Sequence, residues 1–421
     1  MPTGVSSSAP VVSPRRLVVD GRLADEVYAT TEPLRGLVQQ DPDPGASVTE
    51  PTDVWVFFDD RALYVTFRRM DPHPERAVEN DLRRDGTNFG NNDHVSVGLD
   101  TFHDGRNGAV FGVTSAGGLN DGLASNERDY NRDWNTVWEA RTSRFDGGWS
   151  AELAIPFRSL RYPGGGGQIW GINVRRTIRW KNEYAYLTPI PPSLGMGGIM
   201  KFSSAATLVG LTLPAARPIA ELKPYVIGGL KTDWSADPAV EGAFDRHAGF
   251  DAKYGLTPSL TADFTYNTDF AQVEDDEQQV NLTRFSLFFP EKREFFLENQ
   301  GMFNFGGYGQ RRGATPGDMP LLFFSRRIGL SAGGRPVPIS AGGRMTGKAG
   351  AFNVGLVDIQ TKDDAATGSP ATNFAVVRVS RDILRRSMVG AYFTRRSVSA
   401  AAPEGATWPT RSTARSRSSR T

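Results

Sequence analysis

Oxygen-bearing side chains gather around one predicted turn in the first half of the chain. Asp100, Asp104 and Asn107 flank the turn Asp104-Gly105, and Asp93 lies one predicted strand earlier. Calcium takes roughly six to eight oxygen ligands, so Asp100 and Asp104 are candidate ligands for a structural calcium ion, the one cofactor we consider. Asp and Asn also stabilise turns through their own backbone, and this is the commoner use of such residues.

Two tryptophans at a spacing of four residues, Trp134 and Trp138, follow the polar run 126–131. An aromatic face packs against the apolar C–H face of a sugar ring while polar neighbours take the hydroxyl groups, so the pair could form a binding platform. The alternative is that one or both pack in a core, as large aromatic side chains mostly do.

Motifs for catalysis are missing from the sequence. It has no Gly-x-Ser-x-Gly elbow, no phosphate-binding loop and no dinucleotide fingerprint, and its 4 histidines lack the spacing of a zinc site. Carboxylates are plentiful, but nothing in the sequence selects a pair at glycosidase spacing. We therefore do not expect an enzyme, and a hydrolase acting on O-glycosyl bonds is the alternative.

Composition narrows the class of protein and of partner. The 48 basic and 47 acidic residues leave a net charge of +1, so no overall field attracts nucleic acid, and nucleic acid is not an expected partner. The 46 glycines and 10% aromatic residues favour turn-rich β structure. The chain has no apolar run of about 20 residues, and its mean hydropathy is −0.38. This sequence therefore excludes a helical membrane protein.

Short alternating runs in the first half predict an all-β sandwich over residues 16–207, after a disordered N-terminus at 1–15. Val54, Val56 and Phe58 share one face of a predicted strand. The next run places Leu63 and Val65 on one face after the Asp59-Asp60 turn, as a hairpin with one buried side requires.

The second half has longer runs with one apolar and one wet side. After a predicted linker at 208–220, Leu260, Ala262 and Phe264 alternate with small polar residues. This pattern predicts antiparallel strands of a partial transmembrane β-barrel over residues 221–396, with a lipid-facing exterior. From residue 397 to 421 the alternation stops, and we expect a disordered tail that is truncated or frame-shifted.

Several motifs of the first half resemble the family 9 carbohydrate-binding module, and together they extend over roughly Val18 to Leu208. They are VDGRLADE at 19–26, VFFDDRALYV at 56–65, DHVSV at 93–97 and GWSAELAIPF at 148–157. In the second half, NTDFAQVE at 267–274 and FPEKREFFLE at 289–298 resemble an uncharacterised barrel family found behind such modules in Gram-negative bacteria.

The resemblance implies a jelly-roll-like sandwich that binds a polysaccharide or oligosaccharide, in some members with calcium. In such modules two tryptophans sandwich a sugar ring. At those positions this chain has Phe89 and Met196, and Ser96 stands where a sugar-contacting carboxylate is expected. The predicted carbohydrate-binding residues are Phe89, Asn91, Asn92, Asp93, Trp134 and Trp138.

The function that we expect is non-catalytic carbohydrate binding at the outer membrane in support of carbohydrate catabolism. The barrel would anchor the protein among outer-membrane lipids, with the sandwich in the periplasm or at the cell surface. Two alternatives stay open: a glycoside hydrolase or its accessory subunit, and a structural or export barrel whose sandwich caps the pore or binds a partner.

Overall fold

The computed structural model describes the chain in separate stretches. They comprise residues 9–10, 17–127, 129–132, 134–164, 166–213, 220–233, 240–257, 259–268, 291, 293–297, 300–303, 322–331, 336–365, 367–384 and 387–399. Residues 269–274 of the first second-half motif, residues 289, 290, 292 and 298 of the other, and residues 400–421 of the predicted tail lie outside them. The chain consists of two compact units, Met1–Arg217 and Pro218–Thr421.

The first unit is built from short antiparallel strands and one short helix, α1 (Glu26–Thr30). Its strands are β1 (Ala9–Pro10), β2 (Val38–Asp41), β3 (Thr52–Phe58), β4 (Ala62–Met70), β5 (His94–Asp100), β6 (Gly108–Thr114), β7 (Leu119–Ser125), β8 (Asp129–Asn131), β9 (Glu139–Phe145), β10 (Gly148–Pro156), β11 (Gly166–Ile178), β12 (Glu183–Tyr186) and β13 (Ala206–Leu213). The short pairing of β1 with β13 is parallel.

These strands form two sheets that enclose one apolar core. A nine-stranded sheet has the order β1-β13-β11-β5-β6-β7-β8; in addition, β12 pairs with β11, and β2 pairs with β12. A four-stranded sheet has the order β3-β4-β10-β9. Alternate residues of both sheets meet in the core, for example Val97 and Phe111 from the larger sheet and Val65 and Leu153 from the smaller. The prediction of an all-β chain with a sandwich is confirmed.

The predicted hairpin between β3 and β4 forms as the sequence suggests. Val56 pairs with Val65, and the Asp59 carboxylate accepts hydrogen bonds from the amides of Arg61 and Ala62, which closes the turn. Both faces of β3 are covered, because Trp55 and Phe57 pack in a second cluster behind the sheet, beside the N-terminal segment.

Strand β13 differs from the prediction, which assigned residues 208–213 to a linker. These residues pair with β11, and Leu208, Leu211 and Leu213 are buried in the core. The register shifts opposite Gln168 and Trp170, and Gly210 has a φ of +82°. A bulge of this kind breaks the two-residue period, which is why the strand is hard to see in the sequence.

The second unit contains one seven-stranded antiparallel sheet in sequential order. Its strands are β14 (Ala220–Asp233), β15 (Val240–Thr257), β16 (Leu260–Tyr266), β17 (Ile339–Ala349), β18 (Phe352–Thr361), β19 (Thr372–Leu384) and β20 (Ser387–Val398). The last strand therefore reaches two residues into the region predicted as a disordered tail. A short helix, α2 (Glu294–Leu297), belongs to the same unit.

The two faces of this sheet are opposite in character, and the apolar one is open. Phe264 is 44% exposed, whereas its neighbour Thr265 is 0% exposed. We call the exposed side the apolar face, and its large exposed residues come from six of the seven strands: Leu222, Val226, Leu230, Phe244, Tyr254, Leu256, Phe264, Tyr266, Phe352, Ile383, Val389 and Phe393.

The other side, which we call the covered face, carries polar residues. Described parts of the segment between β16 and β17, among them Glu294–Leu297 and Gln300–Phe303, pack on it. Asp263 and Arg344 form a buried ion pair at 3.1 Å. Phe295 and Phe303 of the segment pack with sheet residues such as Ile359. No helix in the described part of this chain has the length and apolar content needed to cross a bilayer.

Candidate functional site

The candidate calcium ligands lie in a tight loop after β5. The Asp100 carboxylate is buried and accepts hydrogen bonds from the amides of Asp104 and Gly105, at 3.2 and 2.7 Å. Asp104 in turn accepts from the amides of Arg106 and Asn107, both at 2.9 Å. Burial, with the nearby Asp104 charge, raises the pKa of Asp100 to about 6. In this structure both carboxylates organise the loop, and their role as calcium ligands stays a prediction.

Within the described residues, no group of three or more His, Asp or Glu side chains is arranged to hold a metal ion.

The two tryptophans at spacing four are packing residues in this structure. Trp138 is buried in the core, and its ring meets that of Phe111 edge to face at 5.2 Å. Trp134 is half-buried and meets the same Phe111 ring at 6.1 Å. Both rings pack against one core residue, as the core alternative expects, and the buried Trp138 has no open face for a sugar ring.

Asn92 and Asp93 are buried and fully engaged with the protein. The Asp93 carboxylate accepts from the amides of Val78 and Arg179 and pairs with the Arg69 guanidinium at 3.3 Å. The Asn92 side chain bonds to the backbone of Asn80 and Asn88. These two predicted sugar-binding residues hold the loop before β5 in place and offer no surface to a ligand.

Arg69 and Asp93 belong to a larger buried ion network at one end of the core. Glu50 is its centre, since its carboxylate pairs with Arg69 at 3.2 Å, with Arg176 and with Lys181 at 3.1 Å. Asp71 pairs with Arg69 at 3.4 Å. With three carboxylates and three cations, the network is balanced in charge.

Phe89, Asn91 and Met196 do lie near one another, at the rim of the larger sheet. We call the side of this sheet that faces away from the core its outer face. The Phe89 ring is buried there against His94, with ring centres 4.6 Å apart. Asn91 is exposed, and Met196 is 44% exposed and packs over Gly90, where a Cβ atom would collide with its methyl group.

Beneath this rim the outer face holds a buried cluster of polar side chains that sequence reasoning missed, which we call the polar pocket. Arg175 on β11 donates to His94 Nε2 at 2.9 Å, to Ser96 Oγ at 3.3 Å and to the Met196 carbonyl at 2.8 Å. Thr177 also contacts His94 Nε2, at 3.1 Å. The residues come from β5, β11 and the segment Pro192–Met200, so only the fold brings them together.

One sequence signal could have drawn attention to this pocket. Two arginines, Arg175 and Arg176, stand side by side in strand β11, which has no other charged residue. Because neighbouring side chains of a strand point to opposite faces, one must enter the core and the other must lie on the outer face. Arg176 enters the core and joins the Glu50 network, and Arg175 lies outside.

Comparison with curated proteins gives no match to this chain. Among solved structures, a family 9 carbohydrate-binding module from Caldicellulosiruptor kristjanssonii in complex with cellotriose is 17% identical, covering 49% of this chain and 94% of that one, with a TM-score of 0.34. The same source organism's module in complex with glucose is 15% identical, covering 50% and 97%, with a TM-score of 0.35. A candidate carbohydrate-binding protein from Bacteroides uniformis is 11% identical, covering 48% and 98%, with a TM-score of 0.37. Residues 220–342 match a family described as a domain of unknown function, DUF5916.

Proposed function

We propose that this is a non-catalytic glycan-binding protein of the outer membrane. Its first unit binds a polysaccharide or oligosaccharide in support of carbohydrate catabolism, and the strands of its second unit anchor it among membrane lipids. The observation that carries the anchoring is the inversion of polarity across the seven-stranded sheet.

The open apolar face is the first support for this proposal. A sheet in water places its apolar side on the core and its polar side outside. In the second unit the reverse holds, since Phe264 and Phe393 are exposed while Thr265 and Asp263 are buried. Large exposed apolar patches mark contacts with lipid or with other proteins, and a barrel strand in lipid has this polarity.

Sugar binding by the first unit rests on different observations. The four motifs that resemble the carbohydrate-binding module fall in a β-sandwich, as the resemblance implies. The outer face of its larger sheet carries a cluster of hydrogen-bonding groups on Arg175, Ser96 and Asn173, all three of them buried. Pockets with a few convergent polar groups beside apolar walls are suited to saccharide recognition.

Membrane anchoring is tested with the full chain and vesicles of outer-membrane phospholipid. After refolding from denaturant in their presence, the protein should float with the vesicles and resist extraction with carbonate. A stable, monodisperse protein in detergent-free buffer that stays off the vesicles would overturn the anchoring.

Glycan binding is tested separately, with the full chain held in mild detergent. Retention on polysaccharide affinity gels or a glycan array is the expected outcome. Release of reducing ends from a retained glycan would favour the hydrolase alternative instead, and folded protein that no glycan retains would contradict sugar binding.

A structural or export barrel is the second candidate function. It is favoured by the segment that packs on the covered face, where Arg293 pairs with Glu291 at 2.7 Å and donates to the carbonyls of Ser325 and Ile328. Inside a closed barrel such a segment would fill part of the lumen. Deleting it and measuring conductance in planar bilayers distinguishes a filled lumen from a structural strap.

A further inference from the structure

The polar pocket on the outer face contains a buried positive charge with no negative partner. Arg175 is 4% exposed, and its hydrogen-bond acceptors are a histidine, a serine and a backbone carbonyl. Among the residues that the structure describes, no Asp or Glu forms an ion pair with it. Its neighbour in sequence, Arg176, is equally buried but is paired with Glu50. A buried charge is normally paired, and among the buried arginines that the structure describes in this unit Arg69 and Arg176 have carboxylate partners whereas Arg175 has none.

His94 cannot supply a compensating charge. Its Nδ1 lies 2.8 Å from the Asn92 carbonyl and must donate to it, so Nε2 is the acceptor for Arg175. Burial, followed by the charge of Arg175, holds the pKa of His94 well below its usual value. The neutral ring therefore positions the guanidinium without neutralising it.

The pocket also has more donors than acceptors. A guanidinium carries five N–H groups, and the Nε of Arg175 has no partner. The Nδ2 of Asn173, two residues away on the same face of β11 and 0% exposed, is likewise without an acceptor. The Tyr186 hydroxyl is buried beside them. Unmet donors around a cation are the complement of an anionic oxygen ligand.

The cover of the pocket is a glycine-rich segment, Pro192–Met200. Its Met196 carbonyl accepts from Arg175 at 2.8 Å and so holds one position that an oxygen of a ligand could take. The segment contains Gly195, Gly197 and Gly198, and Gly195 has a φ of +47° with nothing within 4 Å of its Cβ position. The backbone around Gly195 can change conformation at low cost, whereas Ile199 at the far end of the segment is buried beside Tyr186 and Phe202, so only the part of the cover around Gly195 would move.

We propose that this pocket binds the carboxylate of an acidic saccharide, a uronic acid unit of a polysaccharide, with Arg175 as the anion-binding residue under a displaceable cover. The guanidinium fork is suited to two carboxylate oxygens, and the Asn173 amide would take a further oxygen of the sugar. This inference rests on the proposed carbohydrate binding and specifies the class of glycan.

The test compares matched glycans on the full chain in detergent. Oligomers of galacturonate, glucuronate and mannuronate are each presented beside their methyl esters, which keep the sugar and lose the charge. We expect the acid to bind at least tenfold more tightly than its ester. Arg175→Met should remove this preference, while Arg61→Met, at a side chain that is 82% exposed, should preserve it.

Each result decides the question. If acid and ester bind alike, or if Arg175→Met leaves the preference intact, the inference is overturned while carbohydrate binding stands. If free acetate or citrate competes as well as the uronate oligomers, the site recognises simple carboxylates and the saccharide part is wrong. Failure of every glycan to bind overturns the proposed function itself. Should Arg175→Met not fold by tryptophan fluorescence, Arg175→Lys keeps the charge, loses the fork and is expected to bind the acid at intermediate strength.

Discussion

The two units use the same two-residue alternation with opposite results. In the sandwich, the apolar side chains of β5 and β10 meet in a core, and the charges that enter it are balanced around Glu50. In the seven-stranded sheet, the apolar side chains stay exposed, and polar residues such as Asp263 and Thr265 are the covered ones. Alternation therefore shows that a strand has two different sides, but it does not show which side meets water.

The largest loss of stability is expected when the charge balance of the buried ion network in the sandwich is removed. Glu50→Ala leaves Arg69 and Arg176 buried without their shared carboxylate, and removing one partner of a buried ion pair costs about 3 to 5 kcal/mol. The control is Asp53→Ala, whose partner Arg35 has a side chain that is 68% exposed, and it should cost less than about 1 kcal/mol. Urea unfolding followed by tryptophan fluorescence measures both, and equal losses would contradict the difference.

Trp138→Ala tests whether the first unit uses this ring for packing. Truncating a buried tryptophan costs about 3 to 5 kcal/mol, so the variant should unfold at lower denaturant. Trp134→Ala, which removes a half-buried ring against the same Phe111, should cost less. Unchanged stability together with lost glycan binding would restore the platform interpretation.

Phe264→Arg tests whether the apolar face of the second unit meets lipid or water. On a lipid-facing surface, an arginine near the bilayer centre costs about 2 to 4 kcal/mol. In water, the same change at a side chain 44% exposed should be nearly neutral. Folding stability in vesicles distinguishes the two cases, and it is measured as the fraction of protein that keeps its folded mobility on gels when the sample is not heated. Thr257→Arg, near the strand end, serves as the milder control.

The smallest effect is a pH dependence at the loop after β5. The pKa of Asp100, about 6 against an ordinary 3.8, means that the folded state holds this proton more tightly. Its contribution to stability is therefore full below about pH 4 and is lost as pH rises through about 6, by at most about 3 kcal/mol. The melting temperature of Asp100→Asn should lack this decline.

Calcium binding at the same loop would change the pH dependence of the melting temperature. If Asp100 and Asp104 bind the ion, millimolar calcium raises the melting temperature at pH 7 and abolishes the decline, because the ion favours the ionised carboxylate. No effect of calcium leaves the two residues as loop-forming groups.

The predicted site and the observed pocket share a location but differ in their residues. The family resemblance places Phe89 and Met196 at the binding site, and they lie at the rim of the pocket. The resemblance also predicts Asn92 and Asp93 as binding residues, and the spacing of the tryptophans predicts Trp138. All three are buried. Arg175 is not predicted, because the pair Arg175-Arg176 indicates only that one arginine lies on each face of the strand, and not which of the two lacks a carboxylate partner.

The sequence by itself determined the all-β class, the hairpin at Asp59 and the two-sided strands, since turn chemistry and alternation are local properties of the chain. Tertiary structure alone decided that Leu208 to Leu213 form a strand across a bulge, and that Arg176 is paired while Arg175 is not. It also decided that the polar side of the second sheet is the covered one. Each of these depends on which distant residues lie opposite, and burial and charge pairing are set by such neighbours and not by the order of residues along the chain.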